Sequence, residues 1–120
     1  MVDLKKMTAS EIVSRKDSYI RRLKNLEKNI DRYLVHGETE LQDAIREEYK
    51  SLKNEIREEA HYLDKSRNSI MDVSNEHNAY AWGIMEANAY GFSTKTNSRI
   101  SLDMFRSVGE AIYKINKYFE

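Results

Sequence analysis

The sequence predicts an all-α protein of one domain over residues 1–120. It reads as a four-helix bundle, in which a long charged antiparallel hairpin (about 8–66) packs on a shorter helical pair (about 69–90 and 101–119). Three observations carry this. The 120 residues include no Pro and four Gly, so few positions interrupt a helix. Charged residues make up 33% of the chain against 40% hydrophobic, a balance that suits amphipathic helices with solvated outer faces. Apolar residues also recur at three- and four-residue steps through four separate segments, the period of a helix with one buried face.

The first helix is expected to start at Thr8. Thr8 with Glu11 forms a capping box, and Met7 with Ile12 supplies the flanking apolar staple. Ile12, Tyr19, Leu23, Leu26, Ile30 and Tyr33 then form the buried stripe, widened by Val13, Ile20 and Leu34. The pattern stops at His36-Gly37, where Gly can take the left-handed conformation that ends many helices. Thr39 and Gln42 read as a second capping box, leaving room only for a tight αα-hairpin turn. The second helix places Leu41, Ile45, Tyr49, Leu52, Ile56, Ala60 and Leu63 on one face.

Charge separates the two arms. Residues 1–36 carry nine Lys/Arg and five Asp/Glu, and residues 37–64 carry four and nine. The basic arm is therefore expected to lie along the acidic one, with apolar burial holding the hairpin and charge selecting the partner. Because the whole chain has zero formal net charge, a general nucleic-acid binder is disfavoured.

Lys65-Ser66-Arg67-Asn68-Ser69 holds neither Gly nor Pro, but Ser69 with Asp72 three residues on is a cap signature. A break is expected there, with the third helix beginning at Ser69. The character of the chain also changes, since the last 53 residues hold eight of the twelve aromatics and eleven of the forty charged residues. Apolar residues fall on two sides of the third helix, Ile70, Val73, Ala81 and Ile84 on one and Met71, Trp82 and Met85 on the other. Ala79, Gly83 and Ala87 form a small-residue track for a close helix neighbour, and Gly109 is the expected match on the fourth helix. Gly inside a helix costs about 1 kcal/mol relative to Ala, so Gly83 calls for a packing reason. The fourth helix, from Ser101, should bury Phe105, Val108, Ile112, Ile115 and Phe119.

Functional chemistry is sparse. With no Cys, a disulfide framework, a thiolate metal site and a thiol nucleophile are all excluded. Glu58 and His61 have the three-residue spacing of a bundle metal pair, but no second Glu-x-x-His accompanies them, and a solvated pair is expected. No nucleophile, base and orienting group can be assembled, so no catalytic residue, cofactor or metal is assigned and a non-enzyme is expected. His77 continues an apolar series and reads as a hydrogen-bonded interior histidine. Its alternative is a planar-ligand site with Asn75, Asn78 and Tyr80. Arg46, Lys50, Lys53 and Arg57 form a basic stripe that Asp43, Glu47 and Glu58 are expected to neutralise.

The segment NAYGFSTKTNSR, residues 88–99, is rich in hydroxyls and carboxamides and ends near a helix N-terminus. The main functional expectation is a non-catalytic binding or inhibitor protein, acting through protein–protein contacts of the third helix and this loop. Trp82, Tyr90, Phe92 and Arg99 are its anchors, and the partner is a target protein or a second copy in a homo-oligomer. The alternative is an oligomeric binder that sequesters an anionic nucleotide with Asn78, Tyr90, Lys95, Thr96 and Arg99. The N-terminal residues lack an apolar leader, and the longest near-apolar run, Ala79 to Met85, is too short to cross a bilayer, so a cytoplasmic location without membrane is expected. Lys, Asn, Ile and Tyr usage suits an AT-rich genome and suggests a phage or mobile-element source. The dipeptide Trp82-Gly83 lacks the intervening residue of WXG-type secreted proteins and falls inside a helix, so no family resemblance follows.

Overall fold

The computed structural model describes residues 3–70, 74–92 and 99–119. Among them the chain forms α1 (Ala9–His36), α2 (Gln42–Ile70), α3 (Asn75–Glu86) and α4 (Leu102–Lys117), with short 3₁₀ turns at Leu4–Lys6 and Thr39–Leu41 and a π-helical turn at Ala87–Gly91. No strand occurs among the described residues. The body measures 48 × 25 × 23 Å, its long axis matching the roughly 40 Å length of each hairpin arm at 1.5 Å per residue.

Cap chemistry sets most of the helix ends. Thr8 accepts from the Glu11 amide, and Gly37 adopts φ 66°, ψ 26° with its N–H on the Arg32 carbonyl, as the sequence predicts. Ser101 accepts from the Met104 amide and opens α4. Two boundaries differ from expectation. Thr39 does not cap α2 but lies inside a 3₁₀ turn, and the preceding Glu38 turns its carboxylate to Arg32 (2.7 and 2.9 Å). The third helix starts at Asn75 and not at Ser69. α2 runs on to Ile70, and Ser74 is the cap, accepting from the His77 amide. A run without Gly or Pro leaves nothing to stop α2 at 66, and Ser74 with His77 satisfies the orphan amides that Ser69 was expected to take. Asp72, Met71 and Val73 lie outside the described residues.

The core draws on all four helices: Ile12, Leu23, Leu26 and Ile30 from α1, Ile45, Leu52, Ile56 and Leu63 from α2, Tyr80 and Ile84 from α3, and Met104, Val108 and Ile115 from α4. Leu34, expected to widen the α1 stripe, is exposed. On α4 the buried line is Met104, Ser107, Val108, Ala111 and Ile115, so Phe105, Ile112 and Phe119 sit at its edge. The most extensive helix–helix packing is that of α1 with α4 and of α2 with α3, while α1 and α2 share a smaller contact. Long charged side chains join α1 to α2, as the charge division predicts: Arg22 bridges Glu48 and Glu55 of α2, each at 2.7 Å.

Glycine decides how near α3 comes to α4. A Cβ at Gly83 would stand 2.9 Å from the Ile115 carbonyl oxygen and 3.1 Å from the Ile115 Cα, so only Gly permits this crossing. The same holds at the π turn, where a Cβ on Gly91 would meet Ala111 at 3.0 Å. Gly109 is not the counterpart of Gly83. It faces α1, with Glu27 Oε2 3.1 Å from where its Cβ would be.

Candidate binding surface

Three polar anchors fix α3 and the π turn that follows it against their neighbours. The first is Glu59, a carboxylate that is 5% exposed on α2. It accepts hydrogen bonds from Arg15 and Tyr19 of α1, the latter at 2.8 Å, and from Tyr80 of α3. One buried charge thus ties three helices together. Burial, then the negative charge of Glu59, raises the pKa of the Tyr19 and Tyr80 phenols above the ordinary tyrosine value. Burial works against the Arg15 charge, but its hydrogen bond to Glu59 and the carboxylate's charge outweigh that and raise the guanidinium's pKa.

The second anchor is His77, buried at the start of α3. Its Nε2 lies 2.7 Å from the Met7 carbonyl and its Nδ1 2.5 Å from Ser74 Oγ, which makes it the satisfied interior histidine of the sequence reading. The third is Ser107 on α4, which donates to the Gly91 carbonyl and lies 3.5 Å from the Tyr49 hydroxyl.

These anchors leave a defined outer face where the end of α3 meets α4. The π turn closes through the Phe92 amide on the Ala87 carbonyl at 3.1 Å, and the extra residue that such a turn accommodates changes which side chains face outward. Phe92 turns inward and packs on Tyr49, ring centroids 5.5 Å apart. Tyr90 stays 63% exposed, and Tyr113 on α4 (55%) and Tyr118 just past its C-terminal end (40%) join it. Lys114 Nζ lies 4.9 Å from the Tyr90 ring centroid and 5.5 Å from that of Tyr113, while Lys117 Nζ stands 5.2 Å from that of Tyr118. Glu86 of α3 balances both cations, at 3.4 Å from Lys114 and 3.5 Å from Lys117, and Glu110 lies 3.8 Å from Lys114. The surface is aromatic, rich in hydroxyls and internally neutral. Its lysines are held over ring faces and between carboxylates, which lowers the entropy left to lose on binding.

Of the residues singled out from sequence, Tyr90 belongs to this face. Trp82 is half-buried one helical turn before Glu86. Phe92 is a core residue and presents no contact surface. Arg99 is exposed, and Asn78 is half-buried in the first turn of α3. Lys95 and Thr96 lie outside the described residues. Tyr113 and Tyr118 escaped the sequence reading, although their signal was present: both fall off the three-and-four stripe of the fourth helix, where an aromatic has no core to enter. Glu59 escaped because a carboxylate beside Glu58 in a charged helix looks solvated. Glu58 and His61 are exposed, and no group of three or more metal-binding side chains comes together among the described residues. No helix among those residues is long and apolar enough to cross a membrane.

No protein-family model, no curated protein and no solved structure matches this chain.

Proposed function

We propose that this chain is a non-catalytic binding protein whose contact surface is the α3–α4 face built on Tyr90, Tyr113, Tyr118 and Lys114. The supporting observation is the convergence of three exposed tyrosines on two lysines that Glu86 and Glu110 already neutralise. Tyr brings large contact area with few rotatable bonds and a hydroxyl for the wet rim, which is why it is enriched at protein interfaces. A face without net charge does not attract polyanions, so the occupant it suits is a protein surface, on a target or on a second copy of this chain. Inhibition of a target is the form of action this reading favours, because the face offers recognition without reactive groups.

The test is a Tyr90→Ala/Tyr113→Ala double variant. Both rings are exposed, so circular dichroism and melting temperature should stay close to those of the parent chain. Native mass spectrometry of both proteins, gently purified from expressing cells, reads self-association and retained partners together. Loss of the parent's assembly or partner in the folded variant supports the proposal, and an unchanged assembly overturns it.

A further inference from the structure

The basic stripe of α2 has a different geometry from the one its sequence suggests. Helix α2 divides its charges between two flanks of its buried face. Glu48, Glu55 and Glu59 turn toward α1, where Arg22 and Arg15 take them. Arg46, Lys50, Lys53 and Arg57 fall within roughly 60° of one another on the other flank and span about 16 Å of helix. Asp43, Glu47 and Glu58 lie alongside as expected, with Glu47 bordering the same surface groove, but they form no direct ion pair with Lys50, Lys53 or Arg57. Among the described residues no ion pair engages Lys50, Lys53 or Arg57, and Arg57 donates instead to the Asn54 carboxamide oxygen at 3.1 Å. Like charges three and four residues apart disfavour a helix by about 0.2–0.5 kcal/mol per pair. The steps Lys50–Lys53 and Lys53–Arg57 are therefore a local cost that no ion pair among the described residues offsets.

These cations also line a concavity. Arg46, Glu47, Tyr49, Lys50, Lys53, Asn54 and Arg57 border a groove of about 530 Å³, within the roughly 300–1,000 Å³ of small-molecule sites. Tyr49, whose ring packs on Phe92, is among the residues that border it. We propose that this groove binds a small polyphosphate anion, of the size and charge of a nucleoside triphosphate. Adjacent phosphates can engage Lys50, Lys53 and Arg57 together, and the Asn54 amide can donate to a further oxygen. A long nucleic acid fits less well. The ladder ends after about three turns, Glu47 lines the groove itself, and the whole chain has no excess positive charge. The site is separate from the α3–α4 face and stands or falls independently of it.

Calorimetric titration of the intact chain with inorganic tripolyphosphate, adenosine triphosphate and a single-stranded oligonucleotide tests this. Both small anions should bind, more weakly as salt rises from about 0.05 to 0.2 M. A Lys50→Glu/Lys53→Glu variant should bind each at least about tenfold more weakly, whereas Lys28→Gln, on the exposed side of α1, should bind as the parent does. If the charge-reversed chain loses helicity, Lys50→Gln/Arg57→Gln takes its place with the same expectation. Absence of binding by both small anions, equal binding by a folded groove variant, or preference for the oligonucleotide over tripolyphosphate would each overturn the proposal.

Discussion

Replacing Glu59 with alanine should cost this protein about 3–4 kcal/mol. The carboxylate has one hydrogen-bond partner on each of three side chains: Arg15, Tyr19 and Tyr80. Its removal strands two phenol hydroxyls in the interior, since Tyr19 is 5% exposed and Tyr80 fully buried, and each unsatisfied buried donor costs about 1–3 kcal/mol. The Arg15 side chain keeps 29% of its surface exposed, so its charge can recover hydration, and its share is discounted accordingly. The total falls within the 3–5 kcal/mol typical of breaking a buried charge pair. Glu59→Gln keeps the volume and one acceptor oxygen, so it should cost less, about 1–2 kcal/mol. For a chain of this size, 3 kcal/mol corresponds to a melting-temperature drop on the order of 10 °C. Urea denaturation gives the free energies, and a double-mutant cycle with Tyr80→Phe separates the shared hydrogen bond from lost packing. A loss below about 1 kcal/mol for Glu59→Ala, or strict additivity with Tyr80→Phe, would refute this account of the interior.

Further expectations concern packing and pH. Gly83→Ala places a methyl group 2.9 Å from the Ile115 carbonyl, backbone that cannot swing away, and should destabilise by about 1–2 kcal/mol despite the gain in helix propensity. Gly109→Ala meets only the tip of Glu27 at 3.1 Å, so it should be neutral or stabilise by up to about 1 kcal/mol in the same denaturant assay. Because the Tyr19 and Tyr80 pKa values are raised in the fold, the stability this contributes is complete below pH 10 and is lost as pH climbs from there toward the folded-state values. Stability should fall by up to roughly 2.7 kcal/mol per pH unit in that range, and two of the eight tyrosines should ionise only as the chain unfolds, as followed by tyrosinate absorbance. Glu55 is held below the ordinary carboxylate pKa by its hydrogen bond from Arg22, so the hairpin seam should loosen as pH falls below about 4, seen as a lower melting temperature.

The helical architecture was legible because it rests on local rules. Thr8, Gly37 and Ser101 act through bonds within one turn of the chain, and the α2 stripe from Ile45 to Leu63 is a pure helical period. The division of charge between the arms also survives in Arg15 with Glu59 and Arg22 with Glu48 and Glu55. What sequence hid depends on which helices become neighbours. Glu58 and Glu59 are chemically alike, and only the arrival of Tyr19 and Tyr80 from other helices separates a solvated carboxylate from a buried one. Phe92 looked like part of an open loop because nothing local signals the π turn that carries it onto Tyr49. Gly109 met α1 and not α3 because α4 docks closely on both.

The central claim is that the α3–α4 tyrosine face is where this protein meets its partner. The most direct measurement is photo-crosslinking in the expressing cell, with a benzophenone amino acid at position 113 and, as control, at Lys24 on the exposed side of α1. The account predicts a discrete adduct, to another protein or to a second copy of the chain, from position 113 and none from position 24. No adduct from position 113, or the same adduct from both positions, would contradict it.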